Sequence, residues 1–252
     1  MLIEEEDQQL LQVLVFNCSP HMDKGSTALI LNPFVEGLRE AGADVELFYL
    51  KMLRIRSCEG DQSCWFKTPG ECFQKDDMNL LYPKLQAADV IVFGTLVYLD
   101  GMVGSMKNLV DRLLPLMEPY IEIRDGHCRH TVCAGHKRAK VVLVSSCGFW
   151  EMDNFDPLIA HLKAICKNLC WEFAGALLRP HSEALLCRLK KGLPVDDVLK
   201  AARKAGNELV KDGKMCEETL GTVSRELSPC DVVLDKLNES FKRTLSSRDK
   251  AA

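Results

Sequence analysis

Residues 13–27, which read VLVFNCSPHMDKGST, constrain the fold more than any other part of the chain. An apolar run, residues 11–16, stops abruptly at a loop of small and hydroxyl-bearing residues. The loop leads straight into a helical pattern that starts near Ser26. Strand, tight loop and helix N-terminus in that order make a site for a phosphate. The N–H groups of the first turn point at the anion, and the helix dipole favours negative charge there. Ser19, Ser26 and Thr27 add hydroxyl donors, His21 and Lys24 add positive charge, and Gly25 is the only glycine of the loop. The plainer reading is an ordinary βα loop whose Ser or Thr caps the helix. The loop has neither the spaced glycines and Lys-Ser/Thr of a P-loop nor the three glycines of a dinucleotide fold. Binding through hydroxyls rather than glycines suits a terminal phosphate monoester.

Further strand-like runs lie at residues 45–50, 89–94, 141–145 and 173–178. They are rich in Val, Ile and Leu with little alternation, as parallel strands covered on both faces are. Helical spacing joins Leu31, Phe34, Val35 and Leu38, then Val103, Met106, Val110 and Leu113. It also joins Leu158, Ile159, Leu162, Cys166 and Leu169, with Asp156 expected as N-cap and Pro157 as first helical residue. Pro33 falls inside the first helix, where it removes a hydrogen bond at about 3 kcal/mol and predicts a kink. Five strands alternating with helices predict a three-layer α/β sandwich. The loops after Phe16, Gly94 and Ser145 all follow strands, the carboxyl-end position at which such sheets bind ligands.

After Pro180 the strand signal ends. Val195, Val198, Leu199, Ala202 and Leu209 form one helical face closed by Gly213; Leu220, Val223 and Leu227 form a second, and Val233, Leu237 and Phe241 a third. The expected organisation is a sandwich over residues 1–180, a helical extension over 181–245 that packs on the sandwich or on a second subunit, and a disordered tail over 246–252.

The segment NCSPHMDKGSTALIL resembles the phosphate loop of the flavodoxin-like NAD(P)H-dependent FMN reductases, with His21 at the basic position and Ser26 where Asn is usual. The resemblance continues through residues 58–78, 88–112 and 145–158, and is to the iron–sulfur flavoprotein branch of that family. It implies a five-stranded parallel sheet in the order 2-1-3-4-5, FMN as cofactor, and an NAD(P)H-dependent flavin oxidoreductase. Electrons would pass through FMN to a quinone, flavin or protein acceptor. It implies a phosphate held by Ser19, His21, Gly25, Ser26 and Thr27. Thr95, Leu96, Val97 and Tyr98 would lie along the flavin ring, with Ser146, Cys147 and Gly148 on the other part of its pocket. Lys107 and Asp111, four residues apart, read as a helix-face pair. Phe149 and Trp150 read as packing or interface residues. The resemblance also points to a homodimer or tetramer. A non-catalytic FMN electron carrier, with or without a metal cluster, is the alternative, and a flavin-free scaffold is a third.

In that branch a run of four cysteines binds a four-iron four-sulfur cluster. Here the spacing gives Cys58, Cys64 and Cys72, and Asp61 stands where the second cysteine is expected. Thiolates are the usual cluster ligands and a hard carboxylate is a poorer one, so no full four-iron cluster is expected. Those four residues remain the candidate ligands if a metal is held. His127, Cys128, His130, Cys133 and His136 are of zinc-binding type but fit no finger spacing, and read as a long structural or interface excursion before the fourth strand.

Composition excludes other classes. Thirty-two basic against 36 acidic residues leave no basic footprint for nucleic acid. The longest apolar stretch is too short to span a bilayer. The acidic start, MLIEEEDQQ, lacks a signal peptide's basic and apolar regions, so a cytoplasmic protein is expected. Its twelve cysteines then serve as core residues, ligands or redox thiols rather than a disulfide framework.

Overall fold

The computed structural model describes residues 10–248. The acidic first nine residues and the last four lie outside them. In chain order the elements are β1 (Gln12–Asn17), α1 (Ala28–Glu40), β2 (Asp44–Tyr49), α2 (Ser63–Phe66), α3 (Met78–Ala87), β3 (Val90–Leu96), α4 (Gly104–Asp111), β4 (Met117–Arg124) and β5 (His127–Val132). There follow β6 (Lys140–Ser146), α5 (Asp156–Asn168), β7 (Glu172–Arg179), α6 (Ser182–Lys190), α7 (Asp196–Asp212), α8 (Glu217–Ser224) and α9 (Cys230–Arg248).

Five strands form one parallel sheet in the order β2-β1-β3-β6-β7. With the β4–β5 ribbon set aside, this is the flavodoxin-like order 2-1-3-4-5. The strands read as apolar runs because both faces are covered. Leu14 and Phe16 of β1 enter a core shared with α3, α4 and α5. Val13 and Val15 enter the opposite core, shared with α1, α7 and α8. The segment after residue 180 therefore supplies much of one helical layer, burying Val198, Ala202, Ala205, Leu209 and Val223.

The α1–α7 crossing depends on two glycines. A Cβ on Gly37 would sit 1.9 Å from the Arg203 carbonyl oxygen, and one on Gly206 would sit 2.2 Å from that of Phe34. Only bare backbone permits this approach. Helix α1 runs unbroken through Pro33. Asp156 opens α5 as its first residue rather than capping it; Phe155 holds the cap position and Pro157 follows in the first turn. Residues 246–248 close α9.

The excursion expected between the third helix and the fourth strand of the sheet contains an antiparallel ribbon, β4 paired with β5. Its turn is Asp125-Gly126, both at positive φ, between the paired Arg124 and His127. That is a two-residue hairpin signal present in the sequence. Among the described residues, no helix is long and apolar enough to cross a membrane. All twelve cysteines are free thiols.

Candidate active site

Strand register brings three loops level at one edge of the sheet. Asn17 of β1 pairs with Gly94 of β3, and Thr95 and Leu96 pair with Ser145 and Ser146 of β6. The loops leaving β1, β3 and β6 thus start side by side at the carboxyl ends, next to the point where strand order reverses.

The β1 loop is built on buried polar atoms. The Asn17 Oδ1 accepts the Ser19 N–H at 3.0 Å, and the buried Ser19 Oγ accepts the His21 N–H at 3.2 Å. A Cβ on Gly25 would fall 2.4 Å from Ser19 Oγ, so glycine lets the loop close over that hydroxyl. The Cys18 N–H donates to the Gly94 carbonyl at 2.7 Å, and Ser105 Oγ donates to the Cys18 carbonyl at 3.3 Å. Thr27 occupies the N-cap position of α1, but its side chain makes no capping bond. Its Oγ1 lies 2.9 Å from Ser146 Oγ, and Ser26 Oγ lies 3.3 Å from the same atom. The Ser26 and Thr27 hydroxyls are thus turned across the site rather than spent on the helix end. His21 and Lys24 are exposed at the mouth of the loop.

In the β3 loop, Thr95 is buried; its Oγ1 donates to the Leu96 carbonyl at 3.1 Å and accepts the Val103 N–H at 3.5 Å. The Val97 N–H donates to the Ser146 carbonyl at 3.0 Å. Tyr98 and Gly101 exchange backbone bonds around Leu99 and Asp100, which both adopt positive φ, 47° and 60°. Such a conformation costs a leucine about 1–2 kcal/mol. Leu99 is nonetheless fully exposed, and Tyr98 beside it is half exposed.

Ser146 is the junction of the three loops. Its hydroxyl meets Ser26 and Thr27, and its carbonyl holds Val97. Cys147 is buried, whereas Gly148 and Phe149 are exposed. Two buried polar atoms in this row of strand ends, Asn17 Nδ2 and Ser145 Oγ, have no hydrogen-bond partner. Buried polar atoms are seldom left unpaired, so both carry unused hydrogen-bond capacity at the strand ends. Asn17 and Ser145 escaped the sequence reading; a polar residue ending an apolar strand was the signal. Lys107 and Asp111 form the expected ion pair at 2.5 Å.

The cysteine positions converge, but incompletely. Cys58, Asp61, Cys64 and Cys72 line one narrow pocket together with Arg112. Burial, with the neighbouring Cys72, Cys58 and Asp61 adding to it, pushes the Cys64 thiol up to about 11. The Asp61 carboxylate accepts the Ser63 N–H at 3.3 Å. Among the described residues no three His, Cys, Asp or Glu side chains are gathered to hold a metal ion. Three thiols and an engaged carboxylate do not fit a four-thiolate cluster. The histidines of 127–136 are dispersed: His130 packs on Trp65 with ring centroids 4.6 Å apart, and His136 on Trp171 at 5.7 Å. The Cys133 thiol donates to the Pro115 carbonyl at 3.4 Å.

A model of the NADPH-dependent FMN reductase family matches residues 11–148, more than half of the chain. The chain belongs to that family, whose cofactor is FMN. Within it the chain is similar to iron–sulfur flavoproteins: one from Archaeoglobus fulgidus is 36% identical over 102 residues, 40% of this chain and 48% of the relative. Another, from Methanocaldococcus jannaschii, is 29% identical over 128 residues, 51% of this chain and 63% of the relative. The chain spans about half the length of the relatives it matches. The solved NAD(P)H:quinone oxidoreductase from Methanothermobacter marburgensis shares the fold, with a TM-score of 0.54 at 18% identity over 79% of this chain and 97% of that one.

Proposed function

We propose that the chain is an FMN-dependent oxidoreductase that passes electrons from NAD(P)H to a quinone, flavin or protein acceptor. The observation that carries this is the junction at Ser146, which draws the β1, β3 and β6 loops into one cradle at the sheet's switch point. Family membership supplies the cofactor; the orphaned Asn17 Nδ2 and Ser145 Oγ, and the Gly25 backbone closed over Ser19, fit a polar ligand there.

In this reading the first turn of α1, with Ser19, Ser26 and Thr27, holds the phosphate, and His21 and Lys24 at the mouth offset its charge. Thr95 through Tyr98 lie along one edge of the ring, and Ser146, Cys147 and Gly148 along another. When bound, FMN would supply the two-electron chemistry, and the protein would position the ring. Ser145 and Asn17 offer hydrogen-bond capacity within the cradle.

Replacing Ser26 and Thr27 together by Ala removes two donors to a charged group. At roughly 1.5–3 kcal/mol each, FMN affinity falls at least tenfold. Titration of apo-protein with FMN measures this, and an unchanged dissociation constant in the double variant removes the phosphate assignment.

A further inference from the structure

Arg179, at the carboxyl end of β7, is completely buried, yet among the described residues no carboxylate lies within ion-pair distance of it. Its guanidinium is spent on neutral acceptors. Nε donates to the Pro180 carbonyl at 2.8 Å, Nη1 to that of Val223 at 2.7 Å, and Nη2 to that of Arg225 at 2.7 Å. A longer Nη2 contact, 3.4 Å, reaches the Ser224 carbonyl. The last carbonyls of α8 are orphan acceptors, and a planar fork of donors suits them where a single ammonium would not. Burial, reinforced by neighbouring Arg225, pulls the guanidinium down to about 10, still cationic near neutral pH.

The same side chain borders the loop after β6. Nη2 lies 3.1 Å from His181 Nε2, which also accepts the Leu227 N–H at 3.4 Å. His181 is therefore neutral, with its proton on Nδ1, and it sits at φ +36°. The Trp150 ring stacks on it, with centroids 5.0 Å apart and planes 6° from parallel, and donates through Nε1 to the Ser228 carbonyl at 2.8 Å. Backbone bonds complete the tie. The His181 N–H donates to the Phe149 carbonyl at 2.6 Å, the Ser182 N–H to that of Cys147 at 2.9 Å, and the Cys147 N–H to that of Arg179 at 3.0 Å. Residues 147–150 thus have few bonds of their own and are held from the 179–182 corner, which is held in turn by the segment 223–228.

We propose that Arg179 is a positioning residue: by locking the end of α8 onto the His181 corner it fixes the loop of residues 147–150, and so sets how tightly the cofactor is gripped. The functional half of this rests on the FMN reading; the structural half does not.

Two readouts separate them. The first is amide hydrogen exchange of the apo-protein; the second is FMN titration. Arg179→Met keeps the stem and removes the fork. It is expected to speed exchange at least tenfold in 147–150 and 223–228 together, and to raise the FMN dissociation constant at least tenfold. Arg179→Lys, which keeps the charge without the fork, recovers part of each. Trp150→Phe guards against a misfolded Arg179 variant: it keeps the stack, loses the Ser228 bond, and is expected to weaken FMN binding at least threefold with faster exchange in the same loop. Faster exchange confined to 223–228 overturns the proposal. So do exchange at 147–150 and FMN affinity within twofold of wild type in a folded Arg179→Met, or in Trp150→Phe if the former does not fold. A wild-type chain that binds no FMN overturns the functional reading, and the exchange data still decide the lock.

Discussion

At the scale of single residues, polar groups that look alike in the sequence do different work. Ser26, Thr27 and Ser146 meet across two loops, whereas the Ser19 oxygen accepts an N–H inside its own loop and keeps its own O–H to donate. The cysteine pocket shows the same division. Arg112 lines the same pocket as the three thiols but is held by Asp76 through bonds of 2.7 and 3.1 Å, with both side chains buried. Burial works against the Asp76 charge, but Arg112 and the N–H groups of Arg56 and Met78 outweigh it and hold the carboxyl below its usual range. A depressed carboxylate contributes stability that is complete above the unfolded value, about 4, and is lost as pH falls through the folded one. Asp76→Asn is expected to destabilise the fold by about 3–5 kcal/mol at neutral pH, because it leaves a buried guanidinium unpaired. The gap from wild type narrows in acid, which denaturant titrations across pH measure. Asp61 carries the second expectation at this scale. Protein purified without oxygen holds FMN but no full four-iron complement, since one ligand of the cubane would be a carboxylate already engaged by the Ser63 amide. Iron and sulfide analysis tests it, and a full complement contradicts it.

At the scale of elements, the α1–α7 contact shows how backbone approach, not side-chain size, fixes a layer. Gly206→Ala gains about 1 kcal/mol of helix propensity but drives a Cβ into the Phe34 backbone, 2.2 Å away, and overpacking of this kind costs about 1–3 kcal/mol. Net destabilisation is expected. Gly221, within α8 and with open space around it, is the control: Gly221→Ala is expected to raise stability by up to about 1 kcal/mol. Thermal melts of the two variants should move in opposite directions. The five sheet strands were legible because doubly covered parallel strands read as continuous apolar runs, within one or two residues at each end. The β4–β5 ribbon was hidden because β4 exposes Tyr120, Ile121 and Ile123 in near-succession beside polar residues, which gives no steady alternation. Only Asp125-Gly126 announced it. The loops of the site were legible from residue type, but their meeting at Ser146 was not, because register between β3 and β6 sets it.

At the scale of the whole molecule, the cradle is open on its outer side, and its rim carries apolar groups that face solvent: Tyr98, Leu99 and Phe149. Leu99 holds a costly backbone conformation with nothing packed on it, as expected of a residue that meets a second copy of the chain. A homodimer or tetramer is expected, and light scattering at micromolar concentration should give a mass above the 28.3 kDa of one chain. Leu99→Asp should shift the distribution toward monomer, and a clean monomer in the parent protein contradicts the expectation. The function proposed for the whole molecule is that the three joined loops hold FMN where NAD(P)H can reduce it. Its most direct test is to mix the FMN-loaded protein with NADH or NADPH without oxygen and follow the visible flavin absorbance. Bleaching by at least one nucleotide and recovery on adding a quinone are expected; flavin that stays oxidised with both nucleotides, or protein that retains no flavin, contradicts the proposal.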